Sequence, residues 1–116
     1  MRKKEIMALV YHVETILNEH DIDPIRRNRV MLAIEESQMR DLEQHPDHAD
    51  TVIECTLTIK TKITLIIRNT GELFDPLRAP RHHVSLQQRL SHTILRRLPN
   101  SHYLPTGGDN RLSFEF

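Results

Sequence analysis

The sequence is poor in cysteine and aromatic residues and carries no excess of either charge. Its 116 residues include one cysteine, no tryptophan, two tyrosines and three phenylalanines. A single cysteine cannot form an internal disulfide, which excludes a disulfide-stabilised secreted domain and favours a reducing, cytoplasmic location. Sixteen basic residues balance sixteen acidic ones, so the charge gives no sign of a nucleic-acid partner or of membrane contact.

No apolar run approaches the roughly 20 residues that a transmembrane helix needs. The opening segment MRKKEIMALVYH is basic and then apolar, but no small-residue cleavage site follows it, which argues against a secretory signal. The chain is 28% charged and 38% hydrophobic, unlike a disordered tail. Its length predicts a single domain over residues 1–116.

Three segments have the apolar spacing of amphipathic helices. The first covers residues 4–19, and the second begins at Asp23, a good N-cap, with Pro24 in the first helical position, and runs to about His45. The third is SLQQRLSHTILRRL. In this third segment, a line of apolar side chains spaced by four residues is interpreted as the buried face of the helix. His92 is interpreted as pointing away from that face, towards solvent. The line is Leu86, Leu90, Ile94 and Leu98.

Alternating apolar and polar residues predict the strands. TVIECTLTIK and KITLIIRN form a hairpin, and SHYLP and RLSFEF flank the turn TGGDN. The order of elements predicts an α/β protein of the α+β type. We expect a two-layer sandwich, with about three helices on one face of a mixed, mostly antiparallel four-stranded sheet.

Three segments of the chain resemble a known family: LAIEESQMRDLEQH, TLIIRNTGELFDP and the closing GGDNRLSFEF. They are similar to the ATPase domain shared by histidine kinases, anti-sigma-factor serine kinases, gyrase and Hsp90, and most similar to the anti-sigma-factor serine kinases. The resemblance covers most of the chain and implies the Bergerat fold. It also implies a nucleotide pocket.

In that family the second helix carries a catalytic glutamate and, four residues later, an asparagine that binds Mg²⁺. The resemblance places the glutamate at Glu36, which becomes a vestigial base, and the asparagine at Arg40. Arginine has donors and no acceptor, so it cannot bind a cation. The spacing of four instead predicts an ion pair between Arg40 and Glu36 along the helix.

The family's adenine-binding motif D-x-G-x-P-F is altered here. Its aspartate corresponds to Asn69, which keeps a carbonyl acceptor without the charge, while Gly71 and Phe74 are retained. The family also has a glycine-rich lid that wraps the phosphates, and this sequence has no glycine between Gly71 and Gly107. A strand that usually precedes the first helix is missing, so either that strand is dispensable or the chain is part of a longer protein.

Changes at the metal, adenine and phosphate positions predict a degenerate ATPase domain without catalysis. The remnant pocket would comprise Glu36, Arg40, Asn69, Gly71 and Phe74. No cofactor is expected, and the partner would be a protein: a sigma-factor-like or regulatory protein, another domain of a larger chain, or a second copy. The alternative is an ATP-binding serine kinase or ATPase that uses Mg²⁺ and atypical pocket residues.

The remaining reactive side chains are assigned ordinary structural roles. Of the eight histidines, the pairs His45 with His48 and His82 with His83 are interpreted as surface residues in loops. No metal site is therefore expected. Cys55, which alternates with apolar residues on a strand, is interpreted as a small buried hydrophobic residue.

Overall fold

A computed structural model describes residues 2–47, 50–80, 85–98 and 100–116. Across these ranges it contains three helices and four strands, in the order that the sequence predicts. The elements are α1 (Lys3–Glu19), α2 (Pro24–Gln44), β1 (Ile53–Ile59), β2 (Ile63–Asn69), α3 (Leu86–Arg96), β3 (Ser101–Tyr103) and β4 (Asn110–Glu115). No helix in the described ranges has both the length and the apolar character required to cross a membrane.

Side-chain caps fix where two of the helices begin. The carboxylate of Asp23 accepts hydrogen bonds from the backbone N–H and from the guanidinium of Arg26, which lower the pKa of Asp23. Pro24 occupies the first turn of α2, where its missing N–H costs nothing. Ser85 caps α3 by accepting from the backbone N–H of Gln88 at 3.1 Å. Both caps satisfy helix N–H groups that have no partner within the helix.

The four strands form one sheet with the order β1-β2-β4-β3. All neighbouring pairs are antiparallel, so the predicted mixed sheet is in fact purely antiparallel in the part of the chain that is described. Hairpins explain this, because β1 turns directly into β2 and β3 turns into β4. Gly107 and Gly108 have positive φ in the second turn (61° and 86°), a backbone conformation that glycine adopts without strain.

The core lies between the three helices and one face of the sheet. Alternate residues of the central strands β2 and β4 are buried, and the buried stripes of α1 and α2 belong to the same cluster. Helix α2 packs between α1 and α3. The fully buried side chains include Ile6, Leu17, Val30, Ile34, Ile63, Leu65, Ile67, Leu95 and Phe114. The predicted layers of helix and sheet are therefore present.

The first half of the apolar line predicted for α3 is exposed, whereas Ile94 is partly buried and Leu98 belongs to the core. Leu86 is 70% exposed and Leu90 is 49% exposed, whereas Gln88 and Ser91 are buried together with Leu95. The helix is rotated so that polar side chains face α2, where charged groups need hydrogen-bond partners. His92, expected in solvent, is partly buried as a result. Three histidines named in the sequence analysis, His48, His82 and His83, lie outside the described residues.

Candidate functional site

Two asparagines face each other at the end of the sheet. Asn69 ends β2, Asn110 begins β4, and the two are directly opposed in the strand register. The Nδ2 of Asn110 donates to the Oδ1 of Asn69 at 2.7 Å. Both side chains point towards the helices because they continue the buried alternation of their strands, and each is at least 96% buried. This pair is the centre of a buried polar cluster.

The amide of Asn69 uses its full hydrogen-bonding capacity within the protein. Its Nδ2 donates to Gln38 Oε1 at 3.0 Å and to Asp41 Oδ2 at 2.6 Å, both on α2. Its Oδ1 accepts from the backbone N–H of Gly71 at 3.2 Å as well as from Asn110. An amide side chain has two N–H groups and two acceptor lone pairs. Asn69 therefore holds no free group for a ligand.

Asn110 anchors the loop that follows β2. Its Nδ2 donates to the carbonyl oxygen of Glu72 at 2.8 Å, and its Oδ1 accepts from the backbone N–H of Phe74 at 2.9 Å. The hydroxyl of Tyr103 donates to the same Oδ1 at 2.7 Å. Burial is the main cause that raises the pKa of Tyr103, which keeps the hydroxyl protonated as a donor. The loop backbone is thus bonded to two strands.

Arg40 is buried and its guanidinium is held by three groups. Its Nε donates to Gln88 Oε1 at 3.0 Å, its Nη1 donates to the carbonyl oxygen of Pro76, and its Cζ lies 5.5 Å from the centre of the Phe74 ring. Burial lowers the pKa of Arg40 and the carboxylate of Asp75 opposes that effect. A guanidinium stays charged in proteins. Arg40 therefore places a buried cation at the position to which the sequence resemblance assigns a metal ligand.

Phe74 is the apolar centre of this region. Its ring lies between Arg40 and His45, and the two rings of His45 and Phe74 meet edge to face with centroids 5.7 Å apart. His45 Nδ1 lies 2.9 Å from Asp41 Oδ1, and its Nε2 lies 3.3 Å from Glu72 Oε2. These contacts connect the end of α2 to the loop after β2.

Glu36 faces α3, as Arg40 does. Its Oε2 accepts a 2.6 Å hydrogen bond from the hydroxyl of Ser91, which is fully buried. The predicted ion pair with Arg40 is not formed, because the guanidinium is directed to Gln88 and Pro76 instead. The structure connects Asn69, Gly71 and Phe74 through Asn110, and it places Arg40 against the Phe74 ring. The described hydrogen bond of Glu36 goes to α3, next to the contact that Arg40 makes with Gln88.

Gly71 has a packing reason that needs no nucleotide. A Cβ at this position would come within 3.1 Å of Thr51 Cγ2 and 3.4 Å of Asn69 Oδ1. The loop therefore passes too close to the buried Thr51 for a larger residue to fit without a shift. The glycine is explained by the approach of the loop to its own core.

Among the described residues, the space enclosed by the side chains of this cluster is too small for a water-sized sphere. It is lined by Gln38, Asp41, Ile67, Asn69, Phe74, Pro76, Asn110 and Leu112. Within the described ranges every buried side-chain nitrogen and oxygen has a hydrogen-bond partner. The region has the properties of a completed polar core.

His92 and Cys55 lie outside the cluster and show no sign of activation. Burial, followed by the nearby Arg40 and Arg96, lowers the pKa of His92, while the backbone of Leu77 acts in the opposite direction. Burial raises the pKa of the Cys55 thiol to about 12, so the reactive thiolate is scarce at neutral pH. No three His, Cys, Asp or Glu side chains of the described segments converge as metal ligands.

Sequence reasoning missed most members of the cluster. Asn110 could have been found, because it has the same alternation as the buried Leu112 and Phe114 of β4. Asp41 lies seven residues after the buried Ile34, on the same helix face. Gln38 and Gln88 gave no comparable signal, since a glutamine on a helix is ordinarily exposed.

Comparison with protein-family models, curated proteins and solved structures found no match to this chain.

Proposed function

We propose that this protein is a regulatory or protein-interaction domain with a degenerate, histidine-kinase-like ATPase fold and no catalytic activity. The observation that supports this function most directly is the closed hydrogen-bond network around Asn69 and Arg40. The side chains that the resemblance assigns to nucleotide binding are bonded to one another and to the backbone. A polar pocket that serves a ligand keeps convergent groups with free capacity.

Adenine has no free group to bind in this cluster. An incoming amino group would have to replace the Nδ2 of Asn110 or the N–H of Gly71 on Asn69 Oδ1. Each replacement leaves a buried donor without a partner, which costs about 1–3 kcal/mol. The ring would also need space that Phe74 and Pro76 already fill. The residues present therefore do not fit a nucleotide base.

The same conclusion applies to Mg²⁺. Arg40 contributes a positive charge and no acceptor at the position of the family's metal ligand. Glu36, the one carboxylate that the resemblance assigns to catalysis, accepts a hydrogen bond from Ser91 on α3. A cation beside a buried guanidinium would be repelled at short range. No step of phosphoryl transfer is derived for this chain.

The surface of α3 supports a role in protein interaction. Leu86 and Leu90 are one helical turn apart and both are exposed. The proposed partner would cover these two leucines and remove their apolar surface from water. The closed cluster behind α3 would then serve to hold this helix in place, because Arg40 and Glu36 both bond to its buried side.

Nucleotide titration tests the proposal. We expect that ATP and ADP at millimolar concentration, with and without Mg²⁺, leave the melting temperature of the purified chain unchanged and give no heat in calorimetry. Specific binding would stabilise the folded protein by about 2.7 kcal/mol at one hundred times the dissociation constant. A Mg²⁺-dependent rise in melting temperature would overturn the proposal and favour the ATP-binding kinase or ATPase.

Variants of α2 separate the two functions further. If the domain is not an enzyme, the original chain and the Glu36→Gln variant should both show no nucleotide binding and no hydrolysis. Glu35→Gln is the matched control on the same helix. In an active enzyme, Glu36→Gln alone would abolish hydrolysis. The pair Arg40→Asn with Asn69→Asp restores the family residues. Because Asn69→Asp places a second carboxylate beside Asp41, the test also includes Asp41→Asn to restore stability. If this triple variant is folded by circular dichroism and binds no ATP, the absence of a glycine-rich lid is itself sufficient to prevent binding.

A further inference from the structure

The two edges of the sheet differ in how well they are protected. β3, at one edge, is three residues long, and a short edge strand is a poor template for pairing. β1, at the other edge, is seven residues long and has a regular register with β2. It contains no proline, and no charged residue on the side that faces the helices. Among the described residues, no strand pairs with the outer edge of β1.

The hydrogen-bond phase of β1 shows which backbone groups face outwards. The backbone N–H of Thr70 donates to the carbonyl oxygen of Val52, and the backbone N–H of Lys60 donates to the carbonyl oxygen of Lys62. The even-numbered residues of this strand therefore direct their backbone N–H and C=O groups towards β2. Because pairing alternates along an antiparallel strand, the odd-numbered residues direct their N–H and C=O groups away from the sheet. These residues are Ile53, Cys55, Leu57 and Ile59.

The side chains of the same four residues are incompletely covered. They face the helix layer and contact the core, yet each is only partly buried, whereas the equivalent residues of β2 are fully buried. The helices therefore leave the apolar side of β1 partly open. The outer edge of β1 therefore has unpaired backbone groups beside partly exposed apolar side chains. A further strand would bond to the backbone groups and cover the side chains.

We propose that β1 pairs with β1 of a second copy of this chain, in antiparallel orientation about a two-fold axis at Leu57. This register joins residues whose backbone groups both face outwards, so the hydrogen bonds are in phase. It places Leu57 opposite Leu57, Cys55 opposite Ile59, and Glu54 opposite Lys60 of the second copy. The two sheets become one sheet of eight strands, with both helix layers on the same face.

Charge complementarity selects this register and this partner. Glu54 and Lys60 are both exposed on the face away from the helices, and the two-fold axis generates two opposite-charge pairs between the copies. These are non-hydrogen-bonded pairs, with Cα atoms about 4.5 Å apart, where side chains interact most closely. Centred on Thr56, the register would place Glu54 opposite Thr58 and Lys60 opposite Val52. The ion pairs would then be lost.

Charge reversal tests the dimer by sedimentation equilibrium on the full chain. We expect a monomer–dimer equilibrium in which Glu54→Lys alone, or Lys60→Glu alone, raises the dissociation constant roughly tenfold or more. The combined exchange should return it close to the original value. Glu115→Lys is the matched control, because it breaks an ion pair with Lys62 on the same sheet face, away from the edge. A chain that stays monomeric at near-millimolar concentration, or a dimer insensitive to both single changes, would overturn the proposal.

Cysteine cross-linking tests the register independently. In a Cys55→Ala background, Leu57→Cys brings two thiols to facing positions with Cα atoms about 5.5 Å apart, within the range of a disulfide. We expect oxidation to link that variant and not Thr56→Cys. Native Cys55 should not link to its copy, because the two lie four residues apart along the strands, about 13 Å. Preferential linking through residue 56 or through native Cys55 would contradict the register.

Discussion

Replacing Asn69 by aspartate should destabilise this protein severely, although aspartate is the residue that the ATPase family carries at this position. The change preserves the shape of the side chain and the acceptor that Gly71 and Asn110 use. It removes both N–H groups, which now bond to Gln38 and Asp41. It also places a second carboxylate where Nδ2 lies 2.6 Å from an oxygen of Asp41.

The size of the effect follows from the burial of the site. Asn69 is 2% exposed and Asp41 is 4% exposed, so water cannot replace the lost donors. A buried acceptor without a partner costs about 1–3 kcal/mol, and more if it is charged. An uncompensated buried charge costs about 3–5 kcal/mol. We expect a loss of about 3–5 kcal/mol, a large share of the roughly 5–15 kcal/mol by which a domain is stable.

Urea unfolding followed by circular dichroism gives this free energy directly. Asn18→Asp is the matched control, because Asn18 is exposed and acts as an acceptor from Arg27; we expect a change within about 0.5 kcal/mol. Adding Asp41→Asn to Asn69→Asp exchanges donor and acceptor, so part of the lost stability should return. A loss below about 1 kcal/mol for Asn69→Asp would refute the closed network, since only an open, hydrated pocket tolerates the second carboxylate.

Three further predictions concern the surroundings of the cluster. Arg40→Lys should lower the free energy of unfolding by about 2 kcal/mol, because an ammonium cannot bond to Gln88 and Pro76 together while stacking on Phe74; an unchanged urea midpoint would contradict the contacts described. The lowered pKa of His92 means that the unfolded chain binds more protons as the pH falls through 6.5. Stability should therefore decline with acidification, and His92→Gln should reduce that slope whereas His12→Gln, at an exposed residue, should not. Cys55 should react slowly with a disulfide reagent at neutral pH and rapidly in urea, because burial raises its pKa to about 12; equal rates would show that the thiol is already ionised or open.

The polar cluster joins elements of the fold through side chains that the family resemblance assigns to a nucleotide site. Arg40, Asn69 and Phe74 occupy the places that the family resemblance assigns to ligand binding, yet they bond to α3, to the loop after β2 and to the start of β4. Fully bonded polar networks fix the relative positions of the elements that they join. Under the proposed function, this network would keep the exposed leucines of α3 in one arrangement.

The element order could be predicted from the sequence because its signals are local. Asp23 and Pro24 specify the start of α2 by backbone chemistry within one turn. The alternation in β1, β2 and β4 specifies their strand character and the face that each residue occupies. Such signals act over a few residues, and nothing elsewhere in the chain opposes them.

The rotation of α3 and the membership of the polar cluster were decided by tertiary structure. The leucine spacing of α3 favours burial of Leu86 and Leu90, but α2 presents Arg40 and Glu36 to this helix. Leaving the buried Arg40 and the partly buried Glu36 without partners would cost more than exposing two leucines, so Gln88 and Ser91 turn inwards. The guanidinium of Arg40 likewise bonds to Gln88 and to the carbonyl oxygen of Pro76 instead of forming the predicted ion pair with Glu36. Residues 48 positions apart, such as Arg40 and Gln88, meet through the packing of two helices, and no spacing along the chain encodes that meeting.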